Sequence, residues 1–414
     1  MSNLLCYNIG MKKLISDGRG KINNKINQKI ISTGEPGSFA VEDLLSQADR
    51  VTKIIIENNA LSDSEIVALE KLRNDIKINS TVEKLSHGLD EEEWSKLLDL
   101  DNVHTWLDDF HHGLRISYFH RLLLDKINYF EKLKDPYQSL KKRALKVFFE
   151  NILDKKVDGS NLDEILEGML WGNKFDLVPP TISDKKEIIC DDRDEFKKFL
   201  SKGIINQIDI IADNAGQELF FDLLFACFVI DNKKTKRVIL HLKNYPYNVS
   251  DATKDDFFYL LAELRNINQL KRFGAKLEKY ILSKKIEAIT YPFTTLGYDR
   301  HLAGKVKQDI YYKSSLIITK GDFNYRKNVG WYYWNLSDCY KDVISYFKSP
   351  LLCFRAVKNE VLIGTSNTSK IKNVSKDDPE WWKKGIGGMI LFQCPNRNMT
   401  TSSQKISDYW SKTK

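Results

Sequence analysis

At 414 residues, with 42% apolar and 29% charged side chains, the chain can bury a large core and has none of the bias of a disordered, collagen-like or disulfide-stapled protein. Its 64 basic residues face 56 acidic ones, so the formal charge of +8 favours small anionic ligands such as phosphate esters without marking a nucleic-acid binder. Six widely spaced cysteines without a C-x-x-C pair, and no apolar run longer than residues 219–230, point to a reduced, cytoplasmic protein without a membrane partner. A secreted bacterial effector stays open as the alternative location, although residues 1–10 lack the layout of a leader.

Residues 1–38 are polar and basic, with Lys12, Lys13, Lys21, Lys25 and Lys29, and close on Gly34-Glu35-Pro36-Gly37; they read as a basic flexible arm. Residues 39–155 predict an all-helical domain. Leu44, Ala48, Val51, Ile54 and Ile55 recur at helical spacing, as do Leu114, Tyr118, Leu122 and Ile127. Ser62 or Ser64 is placed to cap a helix that begins near Glu65. The polar, glycine-bearing segment 154–161 marks the boundary. Beyond it, strands are expected at 204–212, 237–242, 285–291, 315–319, 351–357 and 388–393, with helices at 217–230, 254–264 and 267–283. That alternation predicts an α/β fold over 156–414: a three-layer α/β/α domain with a mostly parallel sheet, preceded by the helical domain.

In open α/β sheets, ligands gather beyond the carboxyl ends of the strands. The strand at 204–212 runs into Asp213-Asn214-Ala215-Gly216. The next leads to Lys243, and its following loop ends in Ser250-Asp251. Asp213, Asn214 and Asp251 together offer the hard oxygen donors that suit Mg²⁺ or Mn²⁺, and Lys243 stands between them to meet a phosphate. Gly216 permits a sharp turn into a helix whose N-terminus directs partial positive charge at the same place. The competing reading is that Asp213-Asn214 and Ser250-Asp251 merely cap the helices that follow them.

A second cluster follows the strand at 315–319, in the run KGDFNYRK over 320–327. Asp322 is a candidate for positioning a water or helping to hold a metal, and Arg326 for forking onto a phosphate. Alternatively, the two pair with each other and fix a turn. Lys358, after the strand at 351–357, either neutralises developing phosphate charge or is a solvated strand end. His111 and His112 are helical neighbours that point about 100° apart, so they do not share one ion.

These residues sit in five ordered motifs: LWGNKFDL (170–177), DNAGQEL (213–219), HLKNYPYNVSDAT (241–253), KGDFNYRK (320–327) and FRAVK (354–358). Over about residues 100–393 the chain resembles the damage-control phosphatases, a family long labelled a domain of unknown function, whose eukaryotic branch was also called acidic-residue carboxyl methyltransferase. The resemblance implies an α/β/α domain with a helical N-terminal part. It also implies metal-dependent hydrolysis of phosphomonoesters, with sugar phosphates and related phosphometabolites as substrates and Mn²⁺, Ni²⁺, Co²⁺ or Mg²⁺ as the cofactor. By motif, Asp213, Asn214 and Asp251 would hold the metal. Asn173, Lys243, Asp322, Arg326 and Lys358 would contact the substrate. Two departures stand out. The loop after Lys243 reads Pro246-Tyr247-Asn248-Val249-Ser250-Asp251 where similar proteins read Pro-Trp-Phe-Val-Ser-Asp. In the helical part, Trp106 and Tyr118-Phe119-His120-Arg121 are recognisable, but Ile116 stands about where a glutamate is usual. The helical part closes over the substrate in similar proteins, so this departure bears on which ester is taken.

Two other functions compete. A carboxyl methyltransferase would need a glycine-rich strand-to-helix turn for its nucleotide cofactor, and no G-x-G-x-x-G follows a strand. A family member that has lost turnover would instead act as a binding protein, with a protein partner in place of the small phosphate ester. A covalent aspartyl-phosphate mechanism expects a second aspartate two residues after Asp213, where Ala215 stands.

Overall fold

A computed structural model describes residues 28–86, 90–154, 159–172, 187–300, 314–365, 368–378 and 381–395. The helical layer comprises α1 (Phe39–Asn58), α2 (Asp63–Lys77), α3 (Glu91–Leu97), α4 (His112–Lys126), the short α5 (Tyr129–Lys132) and α6 (Gln138–Asp154). In α1 the apolar stripe Leu44, Ala48, Val51 and Ile55 is buried at the spacing of one helix face. Ser62 caps α2 in a capping box with Glu65, so that helix begins two residues earlier than expected, at Asp63.

The second half runs α7 (Leu162–Trp171), β1 (Glu187–Asp191), α8 (Arg193–Ser201), β2 (Ile205–Ile211), α9 (Gln217–Asp231), β3 (Thr235–Leu242), α10 (Lys254–Asn266), α11 (Lys271–Leu282) and β4 (Ile286–Thr290). After a 3-10 turn over Pro292–Thr295 come β5 (Leu316–Lys320), α12 (Gly321–Val329), the short α13 (Tyr340–Val343), β6 (Leu351–Ala356), α14 (Thr368–Asp377) and β7 (Gly387–Gln393). All six expected strands are present. Strand β1 was not expected: it is an edge strand of five residues with acidic ends and only Ile189 and Cys190 buried, too short for a periodic signal. The helix expected over 267–283 starts only at Lys271, because residues 267–270 turn back on themselves through Leu270 N donating to Ile267 O.

The strand order is β1-β7-β6-β5-β2-β3-β4. Strands β6, β5, β2, β3 and β4 are mutually parallel, whereas β7 is antiparallel to β6 and carries β1 parallel to itself. The chain moves outward from β2 through β3 to β4, then returns to place β5 on the other side of β2. The sheet therefore has its topological switch point between β2 and β5, where α/β folds place their ligands.

Both faces of the sheet are covered. One core joins Leu44, Val51, Trp106, Phe119 and Leu122 of the helical layer to Ile211, Ile317 and Met389 of the sheet. The other packs α9 and α10 beneath Ile210, Leu240 and Ile318, and α6 reaches into it with Leu145, Phe148 and Phe149. The units expected at 39–155 and 156–414 thus share two cores, and residues 155–158 of the expected boundary lie outside the described residues. Ile116 belongs to the first core, which explains an apolar side chain where a glutamate was expected.

The expectation of a loose arm over 1–38 needs correction from Ile30 onward. Ile31 is fully buried, its N–H donates to Trp331 O, and Thr33 N–H donates to Phe110 O. Isolated bridges join Ile30 to Tyr332 and Ser32 to His111, so this segment straps the helical layer to the loop after α12. Residues 1–27, with most of the arm's lysines, lie outside the described residues. Among the described residues, no helix is long and apolar enough to cross a membrane.

Candidate active site

Strand β2 ends by delivering Asp213 and Asn214 to the switch point. The loop after β3 is stitched against them: Ala252 N–H donates to Asp213 O at 2.7 Å, Ala215 N–H to Ser250 O at 2.8 Å, and Asn214 and Asp251 form an isolated bridge. The helix caps lie elsewhere, which removes the capping alternative. Gly216, at φ +74, is the N-cap of α9, and Thr253 caps α10 in a capping box with Asp256. Asp251 is held by other means. Its carbonyl accepts from the buried Lys141 ammonium of α6 at 2.8 Å. Its loop also holds Val249 at φ +67, a conformation unusual for a β-branched residue and worth about 1–3 kcal/mol of strain.

The two carboxylates are buried together. Asp213 Oδ1 and Asp251 Oδ1 have no hydrogen-bond partner, while Asp251 Oδ2 lies 2.8 Å from Lys243 Nζ. Burial, then repulsion from Asp251 and Glu218, raises the Asp213 carboxyl well above its ordinary value, against the pull of Lys243 and Lys358. Burial likewise raises Asp251, opposed by Lys243. Asn214 is fixed at both ends of its amide: Nδ2 donates to Glu218 Oε2 at 2.9 Å, and Oδ1 accepts from Ser250 Oγ at 2.7 Å. Glu218 is in turn bound by Lys320, which also reaches Asp222, so a buried acid–base–acid chain underlies the site. Gly321, the first residue of α12, stands so close that an added Cβ would meet the Asp213 carboxylate at 1.8 Å. At φ +79 this glycine satisfies both demands, close approach and left-handed backbone.

The second cluster is built differently. Asp322 Oδ1 accepts from Arg355 Nε at 2.7 Å, Oδ2 accepts from Asn359, and Arg326 Nε lies 3.0 Å from Oδ2. Its carboxylate thus has three protein partners, and the expected pairing of Asp322 with Arg326 is present alongside that with Arg355. Arg326 packs its guanidinium over Trp331 at 4.4 Å. Lys358 is exposed at the end of β6, near enough to act on Asp213. Asn173 lies outside the described residues. His111 caps α4 through Nδ1, while His112 Nε2 meets Asp43 at 2.9 Å, so the neighbours serve separate partners.

Sequence reading missed Glu218, Lys327 and Arg355. Glu218 carried a signal, since Asn214 and Glu218 are four residues apart at a helix start. Lys327 is buried in α12, with Nζ donating to Phe293 O at 2.8 Å; burial, Arg300 and Lys243 push its ammonium well below the ordinary lysine value.

Among the described residues, no three His, Cys, Asp or Glu side chains gather as a metal cage. The donors that do converge are two carboxylates and an amide. Residues 40–374 match the family model described as the damage-control phosphatase ARMT1-like domain. The chain is 27% identical over 270 residues to damage-control phosphatase ARMT1 of Bos taurus, covering 59% of this chain and 61% of that protein. It is 29% identical over 259 residues to the Homo sapiens protein of the same name, covering 56% and 58%. The matched stretch therefore spans less than two thirds of either relative. A DUF89 family protein from Pyrococcus horikoshii, known from its crystal structure, superposes with a TM-score of 0.45 at 16% identity, covering 80% of this chain and 93% of that one. With its family model running from residue 40 to residue 374, the chain belongs to the damage-control phosphatase ARMT1-like domain family.

Proposed function

We propose that the protein is a metal-dependent phosphatase that hydrolyses small phosphomonoesters, with sugar phosphates and related phosphometabolites as the substrate class. The observation that carries this reading is the pair of buried carboxylate oxygens, Asp213 Oδ1 and Asp251 Oδ1, without hydrogen-bond partners at the switch point. Two mutually repelling buried carboxylates are costly unless a cation joins them. The donor set fits a hard divalent ion, Mn²⁺, Mg²⁺, Ni²⁺ or Co²⁺, held by Asp213, Asn214 and Asp251. Such an ion supplies Lewis-acid polarisation of a phosphoryl group and charge neutralisation beside it.

The chain's own residues supply the rest. Glu218 and Ser250 hold the Asn214 amide in one orientation. Lys243, Arg326 and Lys358 offer cations to the three non-bridging phosphoryl oxygens. Asp213 or Asp251, both buried at the switch point, would take the proton of the attacking water. The aromatic groups Tyr247 and Phe323 keep bulk water from Lys243, their ring centroids 5.2 and 4.8 Å from Nζ.

The test is Asp213→Asn and Asp251→Ala assayed with a generic aryl phosphate and Mn²⁺, with Mn²⁺ affinity measured calorimetrically. Each variant is expected to lose at least about a hundredfold in rate and to bind Mn²⁺ more weakly. Full activity in either would overturn the proposal.

A further inference from the structure

Lys327 is 1% exposed, and no carboxylate of the described residues lies within ion-pair distance of it. Its contacts are the Phe293 carbonyl at 2.8 Å and the rings of Phe293 and Phe323, centroids 4.5 and 5.4 Å from Nζ. The other buried lysines of this edge are each neutralised: Lys141 by Asp135 and Asp256, Lys320 by Glu218 and Asp222, and Lys243 by Asp251. A buried cation without a counter-charge works against folding, so its retention calls for a reason outside the folded chain.

Its position supplies one. Lys327 sets out from α12, which follows β5, and ends on Phe293 in the turn after β4. In the order β5-β2-β3-β4, the strands before these two elements flank β2 and β3, which deliver Asp213 and Lys243. Lys243 Nζ is 3.3 Å from Thr294 O and 4.8 Å from the Phe323 ring centroid. The two ammonium groups therefore rest on consecutive carbonyls and share one aromatic ring, with Asp251, among the described residues, as the only carboxylate paired to either.

Resting on the phosphatase reading above, we infer that Lys327 is a phosphoryl-binding residue of this site, forming with Lys243 a seat for the dianionic group of a phosphomonoester and for the inorganic phosphate released from it. The missing counter-charge is then the ligand's own. Phe293 and Thr294 aim the two ammoniums through their carbonyls, and Phe323 keeps their other sides dry, which strengthens attraction to an anion.

The test uses the whole chain with Mn²⁺ and inorganic phosphate as the probe. Phosphate binding is read from the rise in melting temperature it causes and from competitive inhibition of aryl phosphate hydrolysis. Lys327→Met is expected to weaken phosphate binding by about tenfold or more, while the phosphate-free protein melts no lower than wild type. Lys327→Arg, which keeps a cation, is expected to bind phosphate within a few-fold of wild type. A lysine that only braced the Phe293 turn would behave oppositely: the methionine variant would melt lower and bind phosphate as wild type does. Wild-type phosphate affinity in Lys327→Met, or in Lys327→Gln should the first variant fail to fold, overturns the inference whatever the melting temperature. If the wild-type protein neither binds phosphate nor hydrolyses the aryl ester, the phosphatase reading itself falls, which is a separate result.

Discussion

Two clusters of buried charge sit on the same edge of the sheet and differ in what encloses them. Around Asp322 both oxygens have partners: Arg355, Arg326 and Asn359 meet them, and Arg355 sends its remaining donors to Val361 O and to Asn359. Around Asp213 and Asp251, among the described residues, each carboxylate keeps an Oδ1 without a close hydrogen-bond partner. The first arrangement holds a shape. The second, with its spare acceptors and the uncompensated Lys327 beside it, is arranged to receive something. Two unpaired carboxylate oxygens buried side by side at a switch point locate function better than the number of charges does.

The contrast predicts opposite responses to mutation. The largest effect is expected from Arg355→Leu, which leaves the Asp322 carboxylate buried without its strongest partner and should lower stability by about 3–5 kcal/mol in urea unfolding. A loss below about 1 kcal/mol would mean that the cluster is not closed after all. Asp213→Asn should do the reverse. In chelator, removing one of two repelling buried carboxylates is expected to raise stability by about 0.5–2 kcal/mol, even as activity is lost. Destabilisation in that variant would break the comparison at its centre.

The smallest effect sharpens the comparison by extending it to the helical layer. His120 donates through Nε2 to Gln47 Oε1 and packs at a tilt against the Tyr247 ring, centroids 4.8 Å apart. Burial, with Arg50 and Lys243 nearby, lowers its pKa to about 3, against the opposing pull of Asp43. The unfolded chain therefore takes up a proton on this residue near pH 6.5 that the folded chain refuses until about pH 3. His120 favours the fold fully above pH 6.5 and progressively less as the pH falls through that window. Melting temperatures measured from pH 7 to pH 4 should fall less steeply in His120→Gln than in wild type. Equal slopes would show that the imidazole is not kept neutral.

The architecture was legible because its signals are local. The strands β2, β3 and β5 carry short clusters of Ile, Val and Leu, and α1 and α4 carry their stripes at helical spacing. Asp213, Asn214 and Asp251 were legible as a set because strand ends converge on one edge. Capping could not be separated from ligation by sequence, since both need a short polar side chain before a helix; only the observed caps, Gly216 and Thr253, divide them. Partner choice was out of reach for a different reason. Whether Asp322 serves a ligand or Arg355 depends on residues 33 positions apart meeting across a strand. Nothing in the motif around Lys327 tells that its nearest acceptor is a carbonyl 34 residues earlier.

The strap at Ile30–Thr33 bears on the order in which the molecule assembles. It is held between Phe110 and Trp331, and beside it Gln28 donates to Asp338, 310 positions away along the chain. Contacts of that span carry the greatest loop-closure entropy, and they cannot form until the sheet between them exists. Residues 28–33 are therefore among the last of the described residues to find their place. During synthesis the strap has to wait for Trp331 and Asp338, and the helical layer stays unlatched from the loop after α12 until they have been added.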